Sequence, residues 1–451
     1  MKPFRKSMFW LALFLTACGS GQQEQKKEKS ADKKESKDVS VAAIEKGVRS
    51  YIEEHSQGKE GRFELEKEGD TLRLKLVRVH TEYIATLGPQ RHFACVDLAE
   101  ANGDVYDVDF FLEGSKGNMT ITQLTVHKLN GKPFYTWEQK KDGTWHRVEV
   151  EEASKKVKGV IQGEDAFRFR YKAKLPEMKK KAELWMPVAT DDRFQKVELD
   201  SLRAPGEQSM LKEEEHGNKI LHLDLKPEHS GKTIELVYEV ERKEKSPYKD
   251  TSAKPDDYLT STPLIPTKGR FERISDRVLA GKQQEDRLLK ARTLFEHVLD
   301  TVAYKKVGKY GTGSAKYACS SGKGNCTEFH SYFIALARAA GIPARFSIGA
   351  SIPSERDKGG INGYHCWAEF YADGKWWPVD ISEAKKYNSL KAYYFGHHPA
   401  NRIELSDGRN LKVEPKPQSG PIKFLAYPLL EIDGKRKPVE TTFSFVRKKL
   451  S

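Results

Sequence analysis

The chain has 451 residues, with 78 Lys and Arg against 65 Asp and Glu, a formal net charge of +13 and five cysteines. At about 100 to 200 residues per domain this is too long for one domain, and three folded units are the natural expectation. Excess positive charge suits nucleic acid, anionic lipid or an acidic cell-wall polymer. No zinc-finger, RNP-type or helix-turn-helix signature is present, and the N-terminus reads as an export signal, so nucleic acid is excluded as a partner.

Residues 1–17 form the expected signal peptide: a basic start (Lys2, Arg5, Lys6) and then "MFWLALFL", too short to cross a bilayer core of about 30 Å. The "LTAC" that ends at Cys18 resembles a bacterial lipobox, which implies that Cys18 becomes the acylated N-terminus. Several acyl chains, at about 0.8 kcal/mol per buried methylene, then hold the protein on a membrane. Gly19 in place of Asp after the cysteine points to the outer membrane, facing the periplasm, if the cell is Gram-negative. Residues 18–40, charged and almost devoid of apolar side chains, read as a flexible tether that cannot bury enough surface to offset its ordering entropy.

Residues 41–156 open with Val41, Ile44, Val48 and Tyr51 at helical spacing, followed by alternating segments such as "TLRLKLV", "HFACVDL", "VYDVDFF" and "TITQLTV". One helix before four strands predicts a small α+β domain whose sheet covers the helix. The element order resembles cystatin-like and NTF2-like modules. Asp107 and Asp109 fall on one strand face and read as solvated; Cys95 reads as a small packed thiol. Residues 157–241 are strand-like throughout and predict a β-sandwich, with Phe167, Phe169, Tyr171, Ala173 and Leu175 turned inward. Residues 242–257, charged and proline-bearing, read as a linker.

From residue 258 helices precede strands, an α+β pattern. Leu288, Ala291, Phe295, Val298 and Val302 mark one helix; Phe329, Phe333, Leu336, Ala337 and Ala340 mark a second, stopped by Gly341 and Pro343. Residues 411–451 read as a β extension of this unit. The whole is thus a multidomain α+β chain, mixing a helix-plus-sheet domain, a β-sandwich and a C-terminal core.

Cys326 stands at the start of the second helix, where unused backbone amides and the helix dipole favour a thiolate. Gly322 and Gly324 precede it and leave the sulfur accessible. A nucleophilic cysteine needs a base and a group to orient that base. "GYHCWAEFYADGKWWPVDIS" supplies both, because Asp373-Gly374 is a strong two-residue hairpin turn. If Ala372 pairs with Lys375, counting outward sets His365 opposite Ser382 and places Asp380 diagonally beside His365, within side-chain reach. Pro378 is the weak point of that register, since it cannot donate to a ladder.

"GNCTEFHSYFIALARAAGIPARF", "YHCWAEFY" and "WWPVDIS" together resemble the transglutaminase-like core of the papain-like cysteine superfamily, over residues 258–410. The resemblance implies Cys326 as nucleophile, His365 as general base and then acid, Asp380 as the orienting group, and thioester chemistry on peptide or amide bonds without a cofactor or metal. The outcome is hydrolysis or transamidation. Animal members use an upstream Trp as second oxyanion donor; none lies between Tyr258 and Cys326, and Tyr304 or Tyr310 is the available substitute. No calcium loop is evident. Competing readings are a disulfide from Cys319 or Cys366 to Cys326, a Cys319–Cys366 bridge, a zinc site of Cys326, His330, His365 and Cys366 whose spacing fits no common pattern, and a catalytically silent scaffold. His397 and His398 read as structural, and Trp367, Trp376 and Trp377 as core or groove wall. The expected substrate is a peptide or protein of the cell envelope, cell-wall peptide first.

Overall fold

The structure, a computed structural model, describes residues 39–451 apart from 68, 89, 116, 140–144, 150–159, 309–310 and 449–451. The signal peptide, Cys18, the tether up to residue 38, and Tyr310 lie outside the described residues. The described part is mostly β, with six α-helices, and no described helix is long and apolar enough to cross a membrane.

Helix α1 (Val41–Ser56) starts at Ser40, whose side chain accepts the Ala43 amide, and buries Ile44, Val48 and Ile52. Val41, expected on the inner stripe, is exposed, and Ile52 takes its place one turn past Val48. The stripe packs on a sheet whose main path runs Phe63–Lys67, Asp70–Val79, Arg91–Glu100, Val105–Ser115, Asn118–Leu129 and Lys132–Pro133. Ala94, Val96, Leu98, Val108 and Phe110 meet the helix, as period-two alternation requires.

The opposite face is not solvated. Asp107 and Asp109 are buried, the latter only 1% exposed. Cys95 donates to Asp107 at 2.8 Å and Lys128 Nζ lies 2.9 Å from its second oxygen. The same face abuts the C-terminal core, where Arg292 bridges Asp97 (2.7 Å) and Glu296 (2.8 Å). Alternation alone could not distinguish a wet face from one covered by another part of the chain.

The sandwich joins two five-stranded sheets. One runs Gln195–Arg203, Thr233–Lys243, Glu164–Lys174, Glu440–Arg447, Lys358–Ile361; the other runs Glu207–Lys212, Lys219–Leu225, Ala182–Val188, Leu429–Ile432, Lys435–Lys437. Phe167, Phe169, Tyr171, Ala173 and Leu175 all enter the core between them. The tail strands therefore close both sandwich sheets instead of extending the core. Their partners Glu164–Lys174 and Ala182–Val188 lie more than 200 residues upstream, so local pattern gives strand type but not destination.

The segment read as a linker is packed. Lys245 is buried 3.0 Å from Glu369, and Arg345 ties Asp250 (3.1 Å) to Glu369 (2.7 Å) beneath Tyr248. Lys245 and Asp250 each meet an opposite charge on the core, which composition cannot reveal.

The C-terminal core holds α2 (Arg270–Val278), α3 (Arg287–Thr301), α4 (Ala315–Ser321), α5 (Cys326–Ala339) and α6 (Ile381–Lys386) around a sheet ordered Lys375–Val379, His365–Ala372, Ala344–Ser351, Arg402–Asp407. Residues 326–337 of α5 are all buried, so this helix is the core's centre and not a surface helix with one inner stripe. Trp367, Trp376 and Trp377 are buried as well.

Candidate active site

Asn325 caps α5: its side chain accepts the Thr327 amide at 3.0 Å, and Glu328 returns a carboxylate to the Asn325 amide at 3.1 Å. Glu328 also accepts from Gly311 (2.9 Å) and Gly313 (2.7 Å), which ties the preceding loop to the helix start. A Cβ on Gly324 would fall 2.3 Å from that of Glu328. Gly324 is thus needed for the clamp to close, a different reason from leaving the sulfur open. Cys326 itself is only 2% exposed.

The hairpin puts His365 beside the sulfur. Ala372 pairs with Lys375, as the turn pair requires, and pairing continues to Ala368 opposite Val379. Pro378 is tolerated because its strand is the sheet edge. The ladder ends there, so Ser382 never faces His365; Asp380 instead caps α6 and accepts the Glu383 amide at 2.9 Å. His365 Nε2 lies 2.7 Å from Asp380 Oδ2. The other ring nitrogen is left for Cys326, with which the imidazole hydrogen-bonds.

The electrostatics follow from these contacts. Burial alone would lower the His365 pKa, but the Asp380 charge and hydrogen bond, with the bond to Cys326, raise it to about 9. Burial would raise the Cys326 pKa, yet hydrogen bonds from Cys366 and His365 and the imidazolium charge hold it well below the ordinary thiol value. Asp380 is likewise held far down, against burial, by His365 and Arg402. The arrangement favours a thiolate–imidazolium pair.

Four contributors were not legible as such. Arg402 donates to Asp380 at 2.7 Å from a strand beyond the quoted motifs. His330 receives the Ile381 amide on Nε2 (3.2 Å), which leaves Nδ1 to donate to the Cys326 carbonyl (2.7 Å). Tyr364 accepts from Asn325 at 3.1 Å, and its amide donates to the Tyr427 hydroxyl at 3.2 Å, so these rings wall the site. Helical spacing sets His330 one turn after Cys326, which marked it as a candidate zinc ligand and not as the brace between the helix start and Ile381 that it is.

Tyr304 sits on a two-residue strand paired to Lys323–Gly324, close enough for the Cys326 charge, after burial, to help push its phenol up. Cys319, Cys326 and Cys366 are free thiols. Cys366 lies 3.5 Å from His330 Nδ1, whereas Cys319 is at the Tyr332 hydroxyl, so no bridge joins them. His398 is buried with Nε2 3.1 Å from the Val379 carbonyl. Cys326, His330, His365 and Cys366 come together, yet His330 is committed to backbone groups and His365 to Asp380, which leaves them unsuited to zinc.

Residues 272–381 match the family model of the transglutaminase-like superfamily, and the match contains Cys326, His365 and Asp380. An uncharacterized protein of Haemophilus influenzae is 28% identical over 320 residues, covering 59% of this chain and 86% of its own length. Among solved structures, a candidate cysteine protease from Cytophaga hutchinsonii has a TM-score of 0.40 at 14% identity, over 63% of this chain and 98% of its own. The periplasmic domain of TgpA from Pseudomonas aeruginosa has 0.28 at 16%, over 51% and 93%.

Proposed function

With a transglutaminase-like C-terminal core as the starting point, we propose that the chain is a cysteine-dependent acyl-transfer enzyme acting on peptide or amide bonds, with Cys326, His365 and Asp380 as its triad. The observation that carries this reading is the buried relay in which Cys326, at a capped helix start, hydrogen-bonds an imidazole whose other nitrogen is 2.7 Å from Asp380.

In the first step the Cys326 sulfur attacks the substrate carbonyl carbon. The oxyanion is received by the Cys326 backbone amide, one of the first-turn donors that the helix leaves unused. Tyr304 is the second donor in this reading. The imidazolium of His365 protonates the departing amine, the C–N bond breaks, and a thioester remains. Neutral His365 then takes a proton from water or an amine as it attacks the thioester. Carboxylic acid or a new amide is released as the C–S bond breaks, and the thiolate leaves beside the newly protonated His365, which restores the ion pair. Asp380, held by Arg402, keeps the imidazole oriented and stabilises its charged form.

The proposed setting is the cell envelope, with the chain anchored through lipidated Cys18 and its substrates cell-wall peptides or envelope proteins. The test is turnover of acidic wall peptides, assayed for both hydrolysis and amine incorporation, by wild type and Cys326→Ala. Equal turnover by the two would refute the enzyme. For the anchor, Cys18→Ala is expected to leave the membrane fraction; full retention there would contradict lipidation.

A further inference from the structure

The outer face of the sandwich carries a cluster that the acyl-transfer reading does not use. Register sets Glu207 opposite Asp224, Asp224 opposite Glu183, and Glu183 opposite Glu431, so four carboxylates cross four neighbouring strands in one row. Directly opposed like charges destabilise a sheet, because facing side chains stand about 5 Å apart. Glu431 is answered within the protein: it accepts from the Gln418 (3.0 Å) and Ser419 (2.7 Å) amides, and Arg436 is next in the row. Among the described residues no ion pair answers Glu183, Glu207 or Asp224, although Lys181 and Lys226 border the same groove of about 750 Å³.

His222 shares this face, two residues before Asp224 and diagonal to Glu183. It is 4% exposed and its ring packs 5.1 Å from that of Trp185. Nδ1 is 3.4 Å from Ser209 Oγ on the next strand, while Nε2 has no hydrogen-bond partner. A buried ring nitrogen without a partner, beside carboxylates without a cation, is costly on both counts. One nitrogen of His222 and one oxygen from each of Glu183 and Asp224 lie within 4.8 Å of one another.

We propose that Glu183, His222 and Asp224 bind a divalent transition-metal cation, with zinc the first to test. With Nδ1 turned to Ser209, Nε2 is the nitrogen available to the metal, the division of labour usual for ligating histidines. An imidazole among carboxylates suits zinc and its neighbours in the first transition row and disfavours calcium and magnesium, which take oxygen donors. At bond lengths of about 2.0–2.2 Å the three donors must draw together slightly, which side-chain rotation permits for the exposed Asp224. Glu183 and Asp224 also line the groove, from which water can fill the remaining positions. The cation cross-links strands Ala182–Val188 and Lys219–Leu225 and neutralises the row.

The experiment is calorimetric titration of ZnCl2 into the EDTA-stripped full chain, with thermal denaturation alongside, for wild type, Asp224→Asn, Glu183→Gln and His222→Gln. Thiol sites elsewhere also take up zinc, so the reading is the difference between variants. In Asp224→Asn one equivalent is expected to bind at least tenfold more weakly. A rise in Tm of about 5 °C, seen for wild type at a hundredfold excess over Kd, is expected to vanish. Without zinc, Asp224→Asn should melt no lower than wild type, because it removes a repulsive charge. Should His222→Gln fail to fold, the two carboxylate variants still decide. Undiminished zinc binding in both of them, no stoichiometric zinc in wild type, or equal preference for calcium would overturn the proposal. None of these readouts depends on Cys326, so failure here leaves the acyl-transfer reading intact.

Discussion

Two buried histidines sit in opposite surroundings. In the core, His365 has Asp380 on one nitrogen and Cys326 on the other, and Asp380 is in turn held by Arg402, Ser382 and the Glu383 amide. In the sandwich, His222 faces an acidic row with one nitrogen unpartnered and no lysine or arginine paired to its nearest carboxylates among the described residues. In the first region the fold supplies every counter-group and converts burial into opposed pKa shifts. In the second it leaves Glu183 and Asp224 without an ion pair among the described residues, beside a ring nitrogen without a hydrogen bond, the imbalance that the proposed cation answers. Burial of a histidine alone therefore says little; which groups close the circuit decides its role.

The comparison breaks most sharply at the sulfur. Cys326→Ala is expected to reduce turnover of any accepted substrate by about 10³-fold or more, because the remaining groups act only as a unit. Turnover within tenfold of wild type would remove the core from the chemistry. Asp380→Asn comes next. It leaves Arg402 buried against a neutral amide and His365 without its charge partner, with an expected loss of about 3 kcal/mol in urea denaturation and about 10²-fold in turnover. A variant that kept its stability would show that Arg402 is compensated elsewhere.

The pH profile sharpens the same contrast. His365 must be charged to protonate the leaving amine, and its pKa is raised to about 9, so turnover is expected to fall as pH rises through about 9. Cys326 is lowered, so the acid limb should lie well below the ordinary thiol range. A profile that climbs steadily past pH 9 would mean that no ion pair exists. The smallest expected effect belongs to Cys366→Ala. Removing the thiol that hydrogen-bonds Cys326 should slow alkylation of Cys326 several-fold near pH 6 and leave it unchanged at pH 10, as a modest rise in thiol pKa requires.

The sequence carried the local half of this site. Gly322 and Gly324 before Cys326 and the apolar stripe after it mark the helix start, and Asp373-Gly374 fixes a hairpin, so the helix start and the approach of His365 to Asp380 were readable; the Asn325–Glu328 cap was equally local and went unread. The register count failed at Ser382 because the strand ends at Val379 and the chain turns into α6, which places Asp380 by capping instead of pairing. Arg402 was invisible, since its partner lies 22 residues away across a sheet that only folding assembles. The tail strands in the sandwich, the burial of Asp107 and Asp109, and the packed segment around Lys245 have one cause. Pattern reports which face an element presents, and the fold alone decides what covers that face. The acidic row is the extreme case, because each of its members reads singly as an ordinary solvated charge.

The most direct test of the ion pair is the rate of iodoacetamide alkylation of Cys326 as a function of pH, read on the Cys326 peptide in wild type and His365→Ala. Rapid labelling well below pH 8.5 that slows in His365→Ala is the expected result. Labelling indifferent to His365, or titrating as an ordinary thiol near pH 8.5, would contradict an activated cysteine.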